Sequence, residues 1–111
     1  MKINEAAKAL GVTAQTLRYY ERIGLIGRVT RRSGGSRDFS DEELEEAKLI
    51  AALRKGGVAI EDLLQMKSLS SSGNKSEAEE FVEAKIEECL NRADAARQAA
   101  RILREEAQKW A

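Results

Sequence analysis

Residues 16–26, TLRYYERIGLI, place two arginines, two adjacent tyrosines and a glutamate within about two helical turns. On a helix beginning near Ala14, Leu17, Tyr20 and Gly24 share one face, and Gln15, Arg18, Tyr19 and Arg22 point away from it. The outward set suits a nucleic acid. The first turn of a helix entering a major groove, here Gln15 and Thr16, touches base edges. Arg18 has the fork to take guanine or a phosphate, and Tyr19 can offer its hydroxyl to a phosphate. In the packing alternative both tyrosines are half-buried and Glu21 and Arg22 only solvate the helix. That alternative fits Tyr20; the outward face of Arg18 and Tyr19 fits DNA.

Charge supports the second reading once it is divided along the chain. The 19 Lys/Arg cancel the 19 Asp/Glu overall, but residues 1–40 hold eight bases against three acids, a net of +5. The other 71 residues net −5. Such asymmetry marks the basic segment for an anionic partner. The composition gives enzymes little support: there is no histidine, no carboxylate pair isolated among apolar residues and no phosphate-cradling glycine loop. No cofactor is implied. The single cysteine, Cys89, excludes an internal disulfide. No apolar run approaches the roughly 18 residues a membrane span requires, and the N-terminus lacks a secretory pattern. A cytoplasmic protein without a membrane partner is expected.

These side chains need elements to hold them. Ile3, Ala6, Ala7 and Leu10 trace one face of a short helix, with Asn4 as the expected N-cap. Gly11 supplies a left-handed turn, and Thr13 can cap a second helix over about 14–23. Residues 27–39 break the helical period around Ser33-Gly34-Gly35-Ser36, a hairpin or loop tip. Ser40 and Glu43 form a capping box for a third helix, which Gly56-Gly57 ends, and Ile60, Leu63, Leu64 and Leu69 face inward from a fourth. The serine-rich tract 70–76 reads as a linker.

Beyond it the chain is uninterrupted helix with a heptad seam at Val82, Ile86, Cys89, Ala93, Ala96, Ala100, Leu103, Ala107 and Trp110. The alternating steps of 4 and 3 predict pairing with a second copy, because the first 69 residues can close their own core. Phe81 and Leu90, outside the seam, are expected to dock this helix onto the preceding domain.

INEAAKALGVTAQTLRYYERIGLI, followed by SGGSRDFSDEELEEAKLIAALRKGGVAIEDL, resembles the MerR family of transcriptional regulators over residues 2–67. The resemblance implies a mainly α fold: a winged helix-turn-helix DNA-binding domain followed by a long dimerisation helix in an antiparallel coiled coil. Residues 1–69 would be the DNA-binding domain, 70–76 the linker and 77–111 the dimerisation helix. It implies a homodimer on a near-palindromic promoter operator, distorting the spacer so that RNA polymerase engages both promoter elements. By position, Gln15, Thr16, Arg18 and Tyr19 map to the recognition helix, Ser36 and Arg37 to the first wing, and Lys55 to the neighbourhood of the second. Arg22 on the same helix face and the additional base Arg31 complete the expected DNA-binding set. Two departures stand out. Gly35-Ser36-Arg37 replaces the usual Gly-Tyr-Arg, and Gly27-Arg28 replaces the prolines that commonly follow GLI. A looser wing that relies on phosphate charge is the expectation.

The family's metal-responsive members bring several cysteines to the ends of the dimer helix, and one Cys89 cannot make that site. No metal is therefore expected, and Cys89 reads as a small apolar seam residue, with a thiol sensor as the alternative. A short-form regulator without a large C-terminal effector domain is the reading, with a small-molecule effector left open. The rival is an architectural, excisionase-like winged-helix protein, which usually lacks a long dimer helix. A pure coiled-coil adaptor leaves the basic first forty residues unexplained.

Overall fold

The computed structural model describes residues 1–110. Among them are five helices: α1 (Ile3–Leu10), α2 (Ala14–Arg22), α3 (Asp41–Lys55), α4 (Ile60–Ser71) and α5 (Lys75–Gln108). The first turn of the chain differs from expectation. Lys2, not Asn4, holds the N-cap position of α1, and no side chain caps it. The entry is fixed from a distance instead. Lys2 bridges to Asp38, and the Met1 amino group donates to Asp38 Oδ1 at 2.7 Å and to the Phe39 carbonyl at 2.9 Å.

The expected local signals are present elsewhere. Gly11 ends α1 at φ 70°, a left-handed conformation that glycine enters without steric cost. Thr13 Oγ1 accepts the Thr16 N–H at 3.0 Å and opens α2. Ser40 and Glu43 exchange both hydrogen bonds of a capping box at the start of α3. Each such cap contributes about 1 kcal/mol.

α1 packs on α2 and α3, and the core forms where they meet the segment after α2. Leu17 and Tyr20 enter it from α2, Leu25, Ile26 and Val29 from the following loop, Ala47 and Ile50 from α3, and Leu63 from α4. Leu17, Leu25 and Leu63 are 1% exposed or less, and each contributes on the order of 2 kcal/mol by burial.

The wing contains two isolated bridges and no strand among the described residues. Arg31 pairs with Arg37, the Arg32 N–H donates to the Ser36 carbonyl at 2.8 Å, and the Gly35 N–H to the Arg32 carbonyl at 2.9 Å. Gly34 and Gly35 both have positive φ, which lets so short a hairpin close.

The 70–76 tract is largely helical. Only Ser72, Gly73 and Asn74 separate α4 from α5, and Asn74 caps α5 by accepting the Glu77 N–H at 3.1 Å. The 34 residues of α5 extend about 50 Å. Its first half lies back along α4. Lys85 pairs with Asp62 at 3.3 Å and sits 5.1 Å from the centre of the Phe81 ring, and Arg92 donates to the Gly56 carbonyl at 3.2 Å.

Phe81 lies half-buried on the proximal part of α5, with Lys85 of the same helix over its ring. Leu90 does not dock: it is 61% exposed. Val82, Cys89 and Ala93 are also half-buried within their own chain, because a straight helix of 3.6 residues per turn carries these layers toward α4. Past Ala93 every described residue is exposed, including Ala96, Ala100, Leu103, Ala107 and Trp110.

Candidate nucleic-acid interface

The outward face of α2 carries Gln15, Arg18, Tyr19 and Arg22, all exposed. Thr16 is half-buried, and its hydroxyl lies 2.8 Å from that of Thr13, so its polar group is engaged within the cap. The Arg22 guanidinium stands 5.2 Å from the Tyr19 ring centre, and the Tyr20 ring centre lies 6.3 Å from it in a tilted arrangement. This cation–π contact is worth about 0.5–1 kcal/mol at an exposed site and holds the Tyr19 ring in place. Tyr20 itself is buried.

Two open grooves meet along this helix. One is lined by Thr13, Gln15, Thr16, Arg18, Tyr19 and Arg22; the other by Arg18 and Arg22 together with Arg28, Arg31 and Arg37 around the Gly24–Gly27 turn. Arg18 and Arg22 belong to both, so the basic surface runs unbroken from α2 to the wing. Arg18, Arg22 and Arg28 make no ion pair with an acidic side chain among the described residues. Their charge is available to a ligand.

Glu21 organises the wing side. Its side chain is only 8% exposed, and Oε1 receives Arg37 Nε at 2.7 Å and Arg31 Nη2 at 3.1 Å. Oε2 accepts the Val29 N–H at 2.6 Å. Burial alone would raise the Glu21 pKa, but the bonds from Arg31, Val29 and Arg37 outweigh it and hold the group near 2, below its ordinary 4.5.

Two guanidinium groups on one carboxylate leave a net positive charge facing the groove. Carboxylates of α3 finish the attachment. Glu43 Oε2 accepts both the N–H and the hydroxyl of Thr30 at 3.0 Å, and Glu46 Oε1 accepts the Gly27 N–H at 3.0 Å. Lys67 of α4 donates to the Gly24 and Leu25 carbonyls. The base of the wing is thus tied to α2, α3 and α4, where a looser wing was expected; its tip, Ser33 to Ser36, is exposed.

Of the residues singled out from sequence, Gln15, Arg18, Tyr19, Arg22, Arg31 and Arg37 come together on these two grooves, with Thr16 at their edge. Ser36 stands at the wing tip. Lys55 lies elsewhere, at the end of α3 in a hollow against Ala9 and Leu10 of α1. Arg28 also lines the second groove; it was counted among the eight bases of residues 1–40 but not named as a candidate. Glu21 had a role only in the packing alternative, as a solvating side chain; it stands four residues after the buried Leu17 and so on the packed side of α2.

Cys89 is half-buried and accepts a hydrogen bond from Arg92 Nη2 at 3.2 Å. The described residues contain no group of three or more His, Cys, Asp or Glu able to hold a metal, and no helix long and apolar enough to cross a membrane.

A basic helix-turn-helix with a short tied wing and a long projecting helix defines a class, and comparison with known proteins agrees with it. Residues 1–68 match the model of the MerR HTH family regulatory proteins. The HTH-type transcriptional regulator AdhR of Bacillus subtilis is 41% identical over 75 residues, which cover 68% of this chain and 54% of that protein. A Listeria monocytogenes protein assigned to the MerR family of transcriptional regulators is similar in structure, with a TM-score of 0.82 at 32% identity over 99% of this chain and 85% of that one. HiNmlR, a MerR family regulator lacking the sensor domain and bound to promoter DNA, superposes with a TM-score of 0.59 at 25% identity over 85% of this chain and 78% of that one. The chain belongs to the MerR family of helix-turn-helix regulatory proteins. Its match spans about half the length of the curated relative AdhR.

Proposed function

We propose that this protein is a transcriptional regulator that binds a near-palindromic promoter operator as a homodimer and distorts the promoter spacer to control RNA polymerase. The observation that carries the reading is the continuous basic surface in which Arg18, Arg22 and Arg28 have no acidic partner among the described residues, beside a wing locked by Glu21. In this reading Gln15, Thr16 and Arg18 meet base edges. Tyr19, Arg22, Arg28 and the wing residues Arg31, Ser36 and Arg37 meet phosphates, and Lys55, at the end of α3 and apart from the two grooves, adds a backbone contact near the position of the family's second wing. Residues 1–69 read the DNA, 70–76 connect, and 77–111 pair through the seam from Val82 to Trp110. The regulator acts in the cytoplasm and is open to a small-molecule effector. The DNA-bound family neighbour supports the first half of this reading, and the exposed seam beyond Ala93 supports the second.

The test is selection of duplexes from a random pool, followed by transcription of the selected site with purified RNA polymerase. A two-fold symmetric site that alters initiation is expected, with Arg18→Ala losing the preference. Selection that enriches no sequence contradicts the reading. A selected site that binds without changing initiation favours the architectural rival.

A further inference from the structure

We propose that in the homodimer the indole of the partner's Trp110 fills the cleft between α4 and α5, making that cleft a two-chain pocket. The proposal rests on the antiparallel pairing given above and deepens it. The seam has nine positions from Val82 to Trp110, with Ala96 at its centre. In an antiparallel pair, positions equally far from the centre face each other. Ala96 then meets Ala96, Ala93 meets Ala100, Cys89 meets Leu103, Ile86 meets Ala107, and Val82 meets Trp110. The outer layers pair a larger side chain with a smaller one, as close packing requires. A parallel pair instead sets Trp110 against Trp110 and stacks four of its layers as alanine on alanine, against three in the antiparallel pair.

Where the partner's Trp110 arrives, the chain has an opening. A cleft of about 400 Å³ lies between Leu69, Ser70 and Gly73 on one side and Ala78 and Val82 on the other, with the charged Lys75, Glu79 and Glu83 also lining it. Nothing lies within 4 Å of a side-chain carbon built on Gly73, so the opening is free at that end. Its walls are mainly apolar, and Ser70 and Glu83 offer the acceptors that a buried indole N–H needs. Trp110 is 81% exposed, the most exposed of the large apolar residues. Cleft and indole are each incomplete in one chain and complementary across two. Because α4 enters the domain core through Leu63, the plug ties the helix end of one subunit to the DNA-binding domain of the other.

Trp110 is the single tryptophan of the chain and therefore reports on its own surroundings. Indole emission and acrylamide quenching are measured on the full chain across a dilution series, with light scattering giving the oligomeric state. In the dimer, blue-shifted emission and several-fold weaker quenching than for free tryptophan are expected, with both lost on dilution to monomer. Ala78→Phe, which fills the cleft from its own chain, should expose the indole and weaken the dimer about tenfold, a loss of about 1.4 kcal/mol. As a check that does not depend on that variant, Leu103→Cys should crosslink under mild oxidation to Cys89 of the other chain. A stable dimer whose indole is quenched like free tryptophan overturns the proposal and leaves the homodimer standing. So does a dimer that forms no such crosslink. A chain that is monomeric at every concentration removes the dimer itself, and the plug with it.

Discussion

The first 69 residues and the last third of α5 use similar side chains to opposite ends. In the domain, Leu17, Leu25 and Leu63 are essentially sealed, and Glu21, Glu43 and Glu46 are spent on N–H groups and cations brought in from far along the chain. Near the end of α5, Leu103 and Trp110 are 70% and 81% exposed. Ion pairs there are made one turn away, Arg97 to Asp94 and Lys109 to Glu106, on the same helix. Such exposed pairs are worth at most a few tenths of a kcal/mol and fix nothing beyond the helix itself. One region is complete within a single chain. The other leaves its apolar seam uncovered in the single chain, as the proposed pairing requires.

The contrast can be broken first at the exposed end. Leu103→Glu puts two charges into the seam of each dimer and should cost about 4 kcal/mol of association, seen as monomers by light scattering, while the domain melts as before. Leu17→Ala should do the reverse. It opens a cavity in the sealed core and should cost about 3 kcal/mol of domain stability, measured by urea unfolding, with little change in the helical content of α5.

Glu21→Gln sharpens the comparison within the domain. It removes the one carboxylate under Arg31 and Arg37 and should cost about 2 kcal/mol. The wild-type carboxylate has a folded pKa near 2 against an ordinary 4.5, so its contribution is complete above pH 4.5 and fades as pH falls toward 2. The variant should lose that part of the acid transition; an unchanged acid profile would remove Glu21 from the account. Arg18→Ala should leave stability alone and weaken the selected operator by about 1–3 kcal/mol in equilibrium binding. Smallest of all, Cys89→Ser should move stability by less than about 1 kcal/mol in urea unfolding, since its sulfur is half-buried beside Arg92.

What could be read in advance was local or periodic. Gly11, Thr13 and the Ser40–Glu43 box act on neighbours three or four residues away, and their consequences are visible in short strings. The outward set of α2 followed from helical spacing and the buried Tyr20. Two things were not legible because they join distant residues. Lys2 begins α1 through its bridge to Asp38, thirty-six positions on, so the choice of Asn4 as a cap had no local contradiction. Glu21 becomes a wing anchor only once Val29, Arg31 and Arg37 fold back over it. The heptad seam was legible as a period, but a period does not say which body covers each layer. That is why Val82, Cys89 and Ala93 turn out partly covered by their own chain.

The central claim is that a domain complete in one chain reads DNA in pairs held by an incomplete helix. Its most direct test is the stoichiometry and affinity of wild type and Leu103→Glu on a selected duplex, measured by analytical ultracentrifugation and anisotropy over a salt series. Two wild-type chains per duplex are predicted. Leu103→Glu should bind a half-site weakly, with about half the wild-type salt dependence, because half the phosphate contacts remain. One wild-type chain per duplex, with Leu103→Glu binding equally well, would contradict the account.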